Sequence, residues 1–345
     1  FSNPAGLGMY NRSEFAISPA VNLYTTHSDY LDTSTDADKS TFILPGLSFI
    51  FNSQKNKGGF LAGTFGVSFN RINDFNKNYT YGATNSKNSI IDYFLEDADG
   101  FEPTSFESGG DNFNSPTGLA YNNYLIEDST FFYPNASNLG YLSVLGTYPD
   151  NPQDIRRVFQ QEEVKTTGAQ NQWSFSYGAN IADKIFLGAG VGIASIRYSA
   201  KKKYTESNFT FDLDPDFVPL QEMVLHEDLK INGTGFNANI GLIVRPIDLL
   251  QFGASYSTPT VYLLTDSYQA SMNTVWNNFD YFGDGELLSN VSEETETLVS
   301  EYKLKTPGRL TFGATVFVQK HGLVSADVEL INYDGASYST TTSGL

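Results

Sequence analysis

The feature that most constrains this chain is a two-residue period of side chains that recurs along it. In the stretch FLGAGVGIASIRY, residues 186–198, three glycines alternate with aliphatic residues, so a strand here has one apolar face and one nearly bare face. A dinucleotide-binding loop would need its third glycine at position 193, where the chain has Ile193. The stretch is therefore predicted to be a strand, and its glycine face indicates that another group approaches the backbone closely.

The same alternation marks eight further segments of the chain. A soluble β-sandwich also alternates, but its solvent face should carry Lys, Glu and Arg, whereas the polar faces here are mostly Gly, Ser, Asn and Thr. The pattern favours an all-β fold, a transmembrane antiparallel β-barrel with a polar lumen, over a soluble all-β protein. The segments are 13–26, 41–52, 60–70, 172–180, 235–244, 250–257, 309–318 and 323–332.

The connections between these roughly nine predicted strands alternate in length. Short ones are expected at 53–58, 181–184, 245–248 and 319–322, and long ones at 27–40, 71–167, 199–229 and 265–300. Short periplasmic turns and long extracellular loops are typical of outer-membrane barrels. Most of the acidic residues fall in the predicted long loops, where water can solvate them.

Composition excludes several classes of function. The 345 residues carry 39 acidic and 21 basic side chains, a net charge of -18, which argues against a nucleic-acid partner. The chain has no cysteine, and its three histidines are scattered, so we expect no thiol chemistry, no catalytic triad, no cofactor and no metal site. The acidic run DLDPD (212–216) lacks the glycine turn and distal glutamate of a calcium loop, which favours a solvated loop.

Three stretches carry a resemblance to a known family. NPAGLGMY near the start, GTGFNANIGLIVRPIDLLQFGASYSTPTVY (233–262) and YKLKTPGRLTFGATVFVQKHGLVSADVELINYDGASYS (302–339) together resemble the FadL/TodX-type outer-membrane transporters of hydrophobic compounds. The resemblance implies a fourteen-stranded barrel, plugged by an N-terminal hatch, in the outer membrane of a Gram-negative bacterium. It also implies passive uptake of long-chain fatty acids or other apolar molecules. The family's hatch motif falls on Asn3, Pro4 and Ala5.

The resemblance also sets the expected organisation and partners. Residues 1–12 are expected to end a hatch region, and 13–345 to form a barrel that is incomplete at its C-terminus, with a large extracellular loop at 71–167. The expected partners are outer-membrane lipid and lipopolysaccharide, a hydrophobic small-molecule ligand and other envelope proteins. A structural or docking subunit of a larger outer-membrane complex is the alternative function, which the sequence does not separate from transport.

A lateral opening in the wall is predicted near the second and third strands. Pro45 and Gly46 interrupt the second strand, while Gly63 and Gly66 lie in the third, so a bulge or kink there could part the two strands. The family resemblance implies such an opening at a kinked third strand. The alternative is that Pro45 lies above the membrane, or that the glycines only let a barrel corner bend.

The ligand-binding candidates lie in the long loop and the lumen. Helices are predicted at 89–100 and 150–163, and the apolar residues around them form either a hydrophobic capture groove or a self-packed lid over the barrel mouth. Arg309 is predicted to face the lumen with Asp327 and Glu329, either to bind a ligand carboxylate or to form an internal ion pair. The loop candidates are Phe94, Leu95, Phe131, Phe132 and Tyr133.

Overall fold

The fold is that of a computed structural model, which describes residues 3–132, 140–143, 156–211, 218–318 and 321–340. The helices are α1 (Ile90–Ala98), α2 (Pro116–Asn122) and α3 (Ser129–Phe132), with 3₁₀ turns at Pro4–Met9, Pro103–Ser105 and Tyr333–Gly335. The strands are β1 (Glu14–Tyr30), β2 (Thr33–Lys57), β3 (Phe60–Asp74), β4 (Lys77–Asn85), β5 (Glu127–Asp128), β6 (Tyr141–Leu142), β7 (Arg156–Ile181), β8 (Ile185–Phe211), β9 (Leu220–Ile247), β10 (Leu250–Ser257), β11 (Val261–Phe279), β12 (Leu288–Glu294), β13 (Leu298–Lys305), β14 (Gly308–Val318), β15 (Gly322–Asn332) and β16 (Ser337–Thr340).

The strands form one large antiparallel sheet whose order follows the chain. Its main path is β1-β2-β3-β7-β8-β9-β10-β14-β15, with consecutive neighbours antiparallel. Strands β3 and β4 both pair with β7, and β10 and β11 both pair with β9, so each of these pairs is one interrupted strand of the wall. The predicted all-β, antiparallel fold is confirmed, and the nine-strand path agrees with the predicted number of strands.

The sheet curves around an interior. Gln170 of β7 donates from Nε2 to the hydroxyl of Tyr262 of β11 at 2.7 Å, although β8 and β9 lie between these strands. Burial is reversed relative to a soluble protein: Ile240 on the convex face is 59% exposed, whereas Thr64 on the concave face is 0% exposed. The alternation in the sequence therefore separates an apolar outer face from a polar inner one, as predicted.

The strands run well beyond the segments that the alternation marks. Between β1 and β2 only Leu31 and Asp32 turn the chain, where a loop at 27–40 was expected, and β8 and β9 extend through most of 199–229. Cross-strand ion pairs explain the error, because Lys201 lies 3.9 Å from Asp228 and Lys202 lies 3.7 Å from Glu227. A strand that water surrounds needs no apolar face, so apolar periodicity does not detect it.

The helical content of the long loop is partly as predicted. The predicted helix at 89–100 is present as α1, which begins at the N-cap Ser89 with a reciprocal capping box to Asp92. The prediction of a helix at 150–163 is wrong from position 156 onward, where β7 begins, because its alternating polar residues pair with β4 and β8. The proposed cap of that helix, Asp150, lies outside the described residues, as does the acidic run at 212–216.

No helix in the described part of the chain is long and apolar enough to cross a membrane.

Candidate transport site: hatch, wall gap and lid

The N-terminal 3₁₀ turn lies against the concave face of the sheet. Asn3 accepts a hydrogen bond from the amide of Ala5 at 3.0 Å and donates to the carbonyl of Ala254 at 3.3 Å, so it caps the turn and attaches it to β10. Ala5 is buried and packs with Phe186 of β8 and Ile243 of β9. This N-terminal turn, Asn3–Met9, is the candidate hatch.

The bare glycine face of β8 and its neighbours is the surface on which the hatch rests. A Cβ atom added at Gly188 would collide with Pro4 and Ala5, and one at Gly241 would collide with Asn3. Farther along β8, a Cβ at Gly190 would collide with neighbouring side chains rather than with the hatch. Glycine therefore lets one backbone lie directly on another, which is the close approach that the sequence indicates.

The backbone ladder between β2 and β3 covers only part of their length. It runs from Lys57↔Phe60 up to Gly46↔Asn70, and above that level the part of β2 before Gly46 pairs with β1 alone. Strand β3 shifts register after Arg71 and ends at Asp74. Residues 40–45 of β2 and residues 71–76, at and after the end of β3, are both described, and no backbone hydrogen bond joins these two segments. We name this region the wall gap.

Two prolines explain where the ladder stops. The pairing of β1 with β2 shifts by one residue between Ser18↔Gly46 and Ala20↔Ile43, and the residues skipped there include Pro19 and Pro45. Proline has no N–H to donate, so a ladder cannot pass through it on both sides. Gly63 and Gly66, in contrast, pair in regular register with β2.

Side chains, rather than backbone, cross the wall gap. The carboxylate of Asp74 accepts from Asn22 Nδ2 at 3.1 Å and from the hydroxyl of Tyr24 at 3.2 Å, both on the concave face of β1. Above the gap, Thr35 Oγ1 of β2 donates to the carbonyl of Thr80 of β4 at 2.8 Å. The gap is therefore bounded below by a ladder, above by a side-chain contact, and spanned by a polar cluster that can rearrange without breaking strand pairing.

The described part of the 71–167 segment packs on itself and on residues of β8, β9 and β11. Phe94 of α1 is 1% exposed and lies in a core with Phe106, Leu119 and Trp276, while Leu95 is only partly buried against it. These contacts favour the self-packed lid over an open groove at Phe94. We call the α1–α2 region with this core the lid.

The other loop candidates lie at the edge of the lid or outside the described residues. Phe131 is 43% exposed, and its ring stacks on that of Tyr281 with 5.7 Å between centroids. For Phe132 only the backbone is described, and Tyr133 lies outside the described residues. Phe131, an exposed side chain whose ring stacks on the buried Tyr281, is therefore the part of the lid that could contact an apolar ligand.

A buried carboxylate fastens the lid to the wall. Glu206 of β8 accepts hydrogen bonds from the amide of Ile90 at 2.8 Å, from Gln160 Nε2 at 2.7 Å and from the hydroxyl of Ser89. Burial raises the pKa of Glu206, and these hydrogen bonds offset part of that effect. The carboxylate faces the first turn of α1, which favours negative charge.

The lumen above the hatch contains a polar cavity. Its volume is about 260 Å³, and Ile72, Gln172, Asn237 and Arg309 are among its lining residues. Arg309 Nη1 lies 3.8 Å from Glu329 Oε1, and both side chains are exposed. A larger cavity of about 620 Å³ opens instead on the convex face, between apolar side chains of β7–β10 and β14.

Sequence reasoning missed Asp74, Glu206 and the role of Pro19. The one usable signal was Pro19, because a second proline in a strand that must pair with the proline-containing β2 points to a shared bulge. Asp74 and Glu206 acquire their partners from strands and helices distant in sequence, which periodicity does not reveal. In the described part of the chain no cluster of three His, Asp or Glu side chains could hold a metal ion.

No protein-family model matches the sequence, and no curated protein is similar to it. Among solved structures, the chain is similar to the toluene transporter TodX of Pseudomonas putida, with 11% sequence identity and a TM-score of 0.41. The similarity covers 99% of this chain and 68% of TodX. TodX belongs to the family that the three sequence stretches resemble.

Proposed function

We propose that this chain belongs to the FadL/TodX-type family and forms an outer-membrane barrel of a Gram-negative bacterium for the passive uptake of hydrophobic small molecules. Long-chain fatty acids are the substrate class that the residues favour. The loops capture the molecule, and it leaves through the barrel or through the wall gap.

The reversed burial of the sheet supports a membrane location. Val191, Phe236, Ile240 and Phe312 belong to a large apolar surface that is exposed on the convex side of the strands. In water such a surface would cause aggregation, whereas hydrocarbon covers it without cost. Small polar side chains, such as the buried Ser176, face the interior instead.

The observation that carries the transport proposal is that the hatch and the wall gap lie on one lumen. The hatch contacts the concave faces of β8, β9 and β10 near the short turns, so it obstructs straight passage along the barrel axis. The wall gap lies above the hatch and opens toward hydrocarbon. A solute that enters from the lid side therefore has a lateral exit, and only an apolar solute gains free energy by taking it.

The proposed route assigns roles to some of the predicted residues. Asn3, Pro4 and Ala5 hold the hatch, and Pro45 with Gly46 ends the β2–β3 ladder. Phe131 offers an exposed aromatic surface at the entrance. Arg309 lines the lumen cavity, where its guanidinium can exchange Glu329 for the carboxylate of a fatty acid.

The test is uptake by lipid vesicles that contain the full-length protein. A fluorescent long-chain acid, a long-chain alkane and a small sugar are offered to protein-containing and protein-free vesicles. Protein-dependent entry of the acid and the alkane without the sugar is the expected result. Entry of the sugar alone, or no difference from empty vesicles, would contradict the proposal.

The alternative, a docking subunit of an envelope complex, is favoured by the cavity on the convex face. That groove is lined by apolar side chains such as Tyr177, Leu187 and Tyr256, and an apolar segment of a membrane partner could occupy it. Purification in mild detergent separates the two functions. A stoichiometric partner protein supports docking, and a bound acyl chain without a partner supports transport.

A further inference from the structure

We propose that the convex surface centred on Ser199 binds a phosphate group of the phosphorylated glycolipid in the outer leaflet of the membrane. This inference deepens the proposed function and rests on the membrane location argued there. Four basic side chains surround Ser199 on three strands: Lys165 of β7, Arg197 and Lys201 of β8, and Lys230 of β9. We call them the basic patch.

The register of the strands places these side chains around one point. Ser199 pairs with Thr167 on one side and with Lys230 on the other. Arg197 and Lys201 lie two residues before and after Ser199 on the same face of β8. Neighbours directly opposite or two residues apart on one face have Cβ atoms roughly 5–8 Å apart, close enough for several long side chains to contact one phosphate. The hydroxyls of Ser199 and Thr167 lie between them.

The basic patch lies on the convex face of the sheet. The same face carries the exposed apolar surface that includes Val191, Phe236 and Ile240, which we call the apolar band, and the patch lies beyond the outer end of this band. Ile193 of β8 pairs with Trp173 and Phe236, which form an aromatic and aliphatic row on the convex face. Arg197 lies four residues farther along the strand, and at about 3.3 Å per residue and a tilt of about 45° this is roughly 10 Å nearer the outside. The rings of an aromatic girdle lie at the level of the lipid headgroups, so the long side chains of the basic patch lie on the outer side of the girdle, beside the headgroup phosphates.

The charge of the patch is opposite to that of the chain as a whole. With 39 acidic against 21 basic residues, the protein should repel an anionic lipid surface, yet four cations lie together here. Lys165 and Lys201 pair directly across two strands, an arrangement that is unfavourable unless an anion offsets it. A glycolipid phosphate is an anion that the surrounding membrane supplies.

Internal carboxylates neutralise only part of this charge. Lys165 lies 3.0 Å from Glu163, and Lys201 lies 3.9 Å from Asp228, in both cases with the lysine well exposed. For Arg197 and Lys230, both exposed, there is no ion pair within 4.0 Å among the described residues. Arg197 can therefore present its planar fork to a phosphate, with Lys230 as a second cation.

The experiment measures binding of the bisphosphorylated lipid A glycolipid to the full-length protein in detergent by native mass spectrometry. The variant R197Q/K201Q/K230Q removes three cations of the basic patch. The control K55Q/K57Q/K184Q removes three cations at the short-turn end, so the change in net charge is the same. We expect affinity to fall at least tenfold in the patch variant and less than twofold in the control.

Two further measurements make the result decisive. Lipid A without its phosphates should bind the unchanged protein as weakly as the patch variant binds the intact glycolipid. Equal loss in both variants, or no loss with the patch variant, overturns the proposal. Fatty-acid uptake into vesicles free of glycolipid is measured on the same variants; it should be unchanged, so a failure of the transport function is seen separately from a failure of the lipid site.

Discussion

At the scale of single residues, the hatch explains why position 188 of β8 is a glycine. Gly188 contacts the hatch backbone, so a side chain there must displace the hatch. We expect Gly188→Val to destabilise the protein by about 1–3 kcal/mol and to raise ion conductance through the barrel, because the hatch no longer seats. Planar-bilayer recordings and thermal melts measure both effects.

The control for that prediction is Gly6→Ala. Gly6 belongs to the hatch but has no neighbour within 4 Å of an added Cβ. This variant should keep the low conductance and the stability of the unchanged protein. Equal behaviour of the two variants would show that the hatch does not depend on the bare face of β8.

Substitution of Arg309 tests which of two roles this residue has: binding the carboxylate of a fatty acid, or only forming an ion pair with Glu329. If its guanidinium binds the carboxylate of a fatty acid, Arg309→Gln should weaken binding of the acid roughly 10-fold or more, since a hydrogen bond to a charged group contributes about 1.5–3 kcal/mol. Binding of an alkane of equal length should be unchanged. Glu329→Gln frees Arg309 from its partner and should not weaken acid binding. Calorimetry on the three proteins measures the difference.

At this scale the sequence predicted which face a residue occupies, but not its partner. The outward positions of Val191 and Ile240 and the inward position of Arg309 follow from a two-residue period. A bulge or kink was predicted at Pro45 and Gly46 of the second strand and at Gly63 and Gly66 of the third. The strand register shifts beside Pro45 and after Arg71. Glycine permits a bend without requiring one, whereas proline removes a donor and forces the ladder to change.

At the scale of elements, the long strands consist of two parts that follow different physical rules. The part in the apolar band is recognised by alternation of apolar and small residues, and it was predicted well. The outer part of β8 and β9 is held by cross-strand ion pairs such as Lys201–Asp228 and by the lid core, so its sequence looks like a loop. Its structure follows from pairing partners rather than from its own pattern.

The apolar band gives a direct test of the membrane face. Ile240→Arg places a charge on the exposed convex surface and should cost about 2–4 kcal/mol of stability in a bilayer if the position lies near the midplane. Gln172→Arg places the same side chain in the polar lumen cavity and should be much milder. Urea unfolding in lipid vesicles compares the two variants, and equal costs would contradict the assignment of the faces.

The attachment of α1 to β8 should depend on pH through Glu206, which lies above the apolar band. Burial raises its folded pKa above the ordinary value of 4.5, so its contribution to stability is full below that value and is lost as pH rises through the folded pKa. We expect the hydrogen-exchange protection of α1, corrected for intrinsic rates, to decrease as the pH rises above 4.5 and through the raised pKa of Glu206.

Glu206→Gln is the matched variant for that prediction. The amide keeps the shape of the side chain and one oxygen acceptor for the amide of Ile90, and its NH2 group can donate to the hydroxyl of Ser89, but it does not titrate. Its α1 protection should therefore change less with pH than that of the unchanged protein. Protection that rises with pH in the unchanged protein would reverse the sign and refute the argument.

At the scale of the whole molecule, the lumen is obstructed below by the hatch, covered above by the lid, and left without backbone pairing at one side. Each feature has a local cause: glycines that admit the hatch, an apolar core that holds the lid, and prolines that end a ladder. At the membrane location that we propose, the unpaired part of the wall would face hydrocarbon. An apolar solute would then pass through it at less cost than a hydrophilic one, because a polar molecule in the gap would have to leave water.

The final prediction tests the wall gap as the route of the solute. Phe42→Cys on β2 and Asn73→Cys on β3 place exposed thiols on opposite sides of the gap, and the chain has no other cysteine. A cleavable bifunctional thiol reagent that joins them should reduce uptake of a long-chain acid into vesicles, and reduction should restore it. Phe49→Cys with Val67→Cys is the control, since these residues already pair directly. If the first pair cross-links and uptake continues unchanged, the solute does not leave through the wall, and passage along the lumen past the hatch is the remaining route.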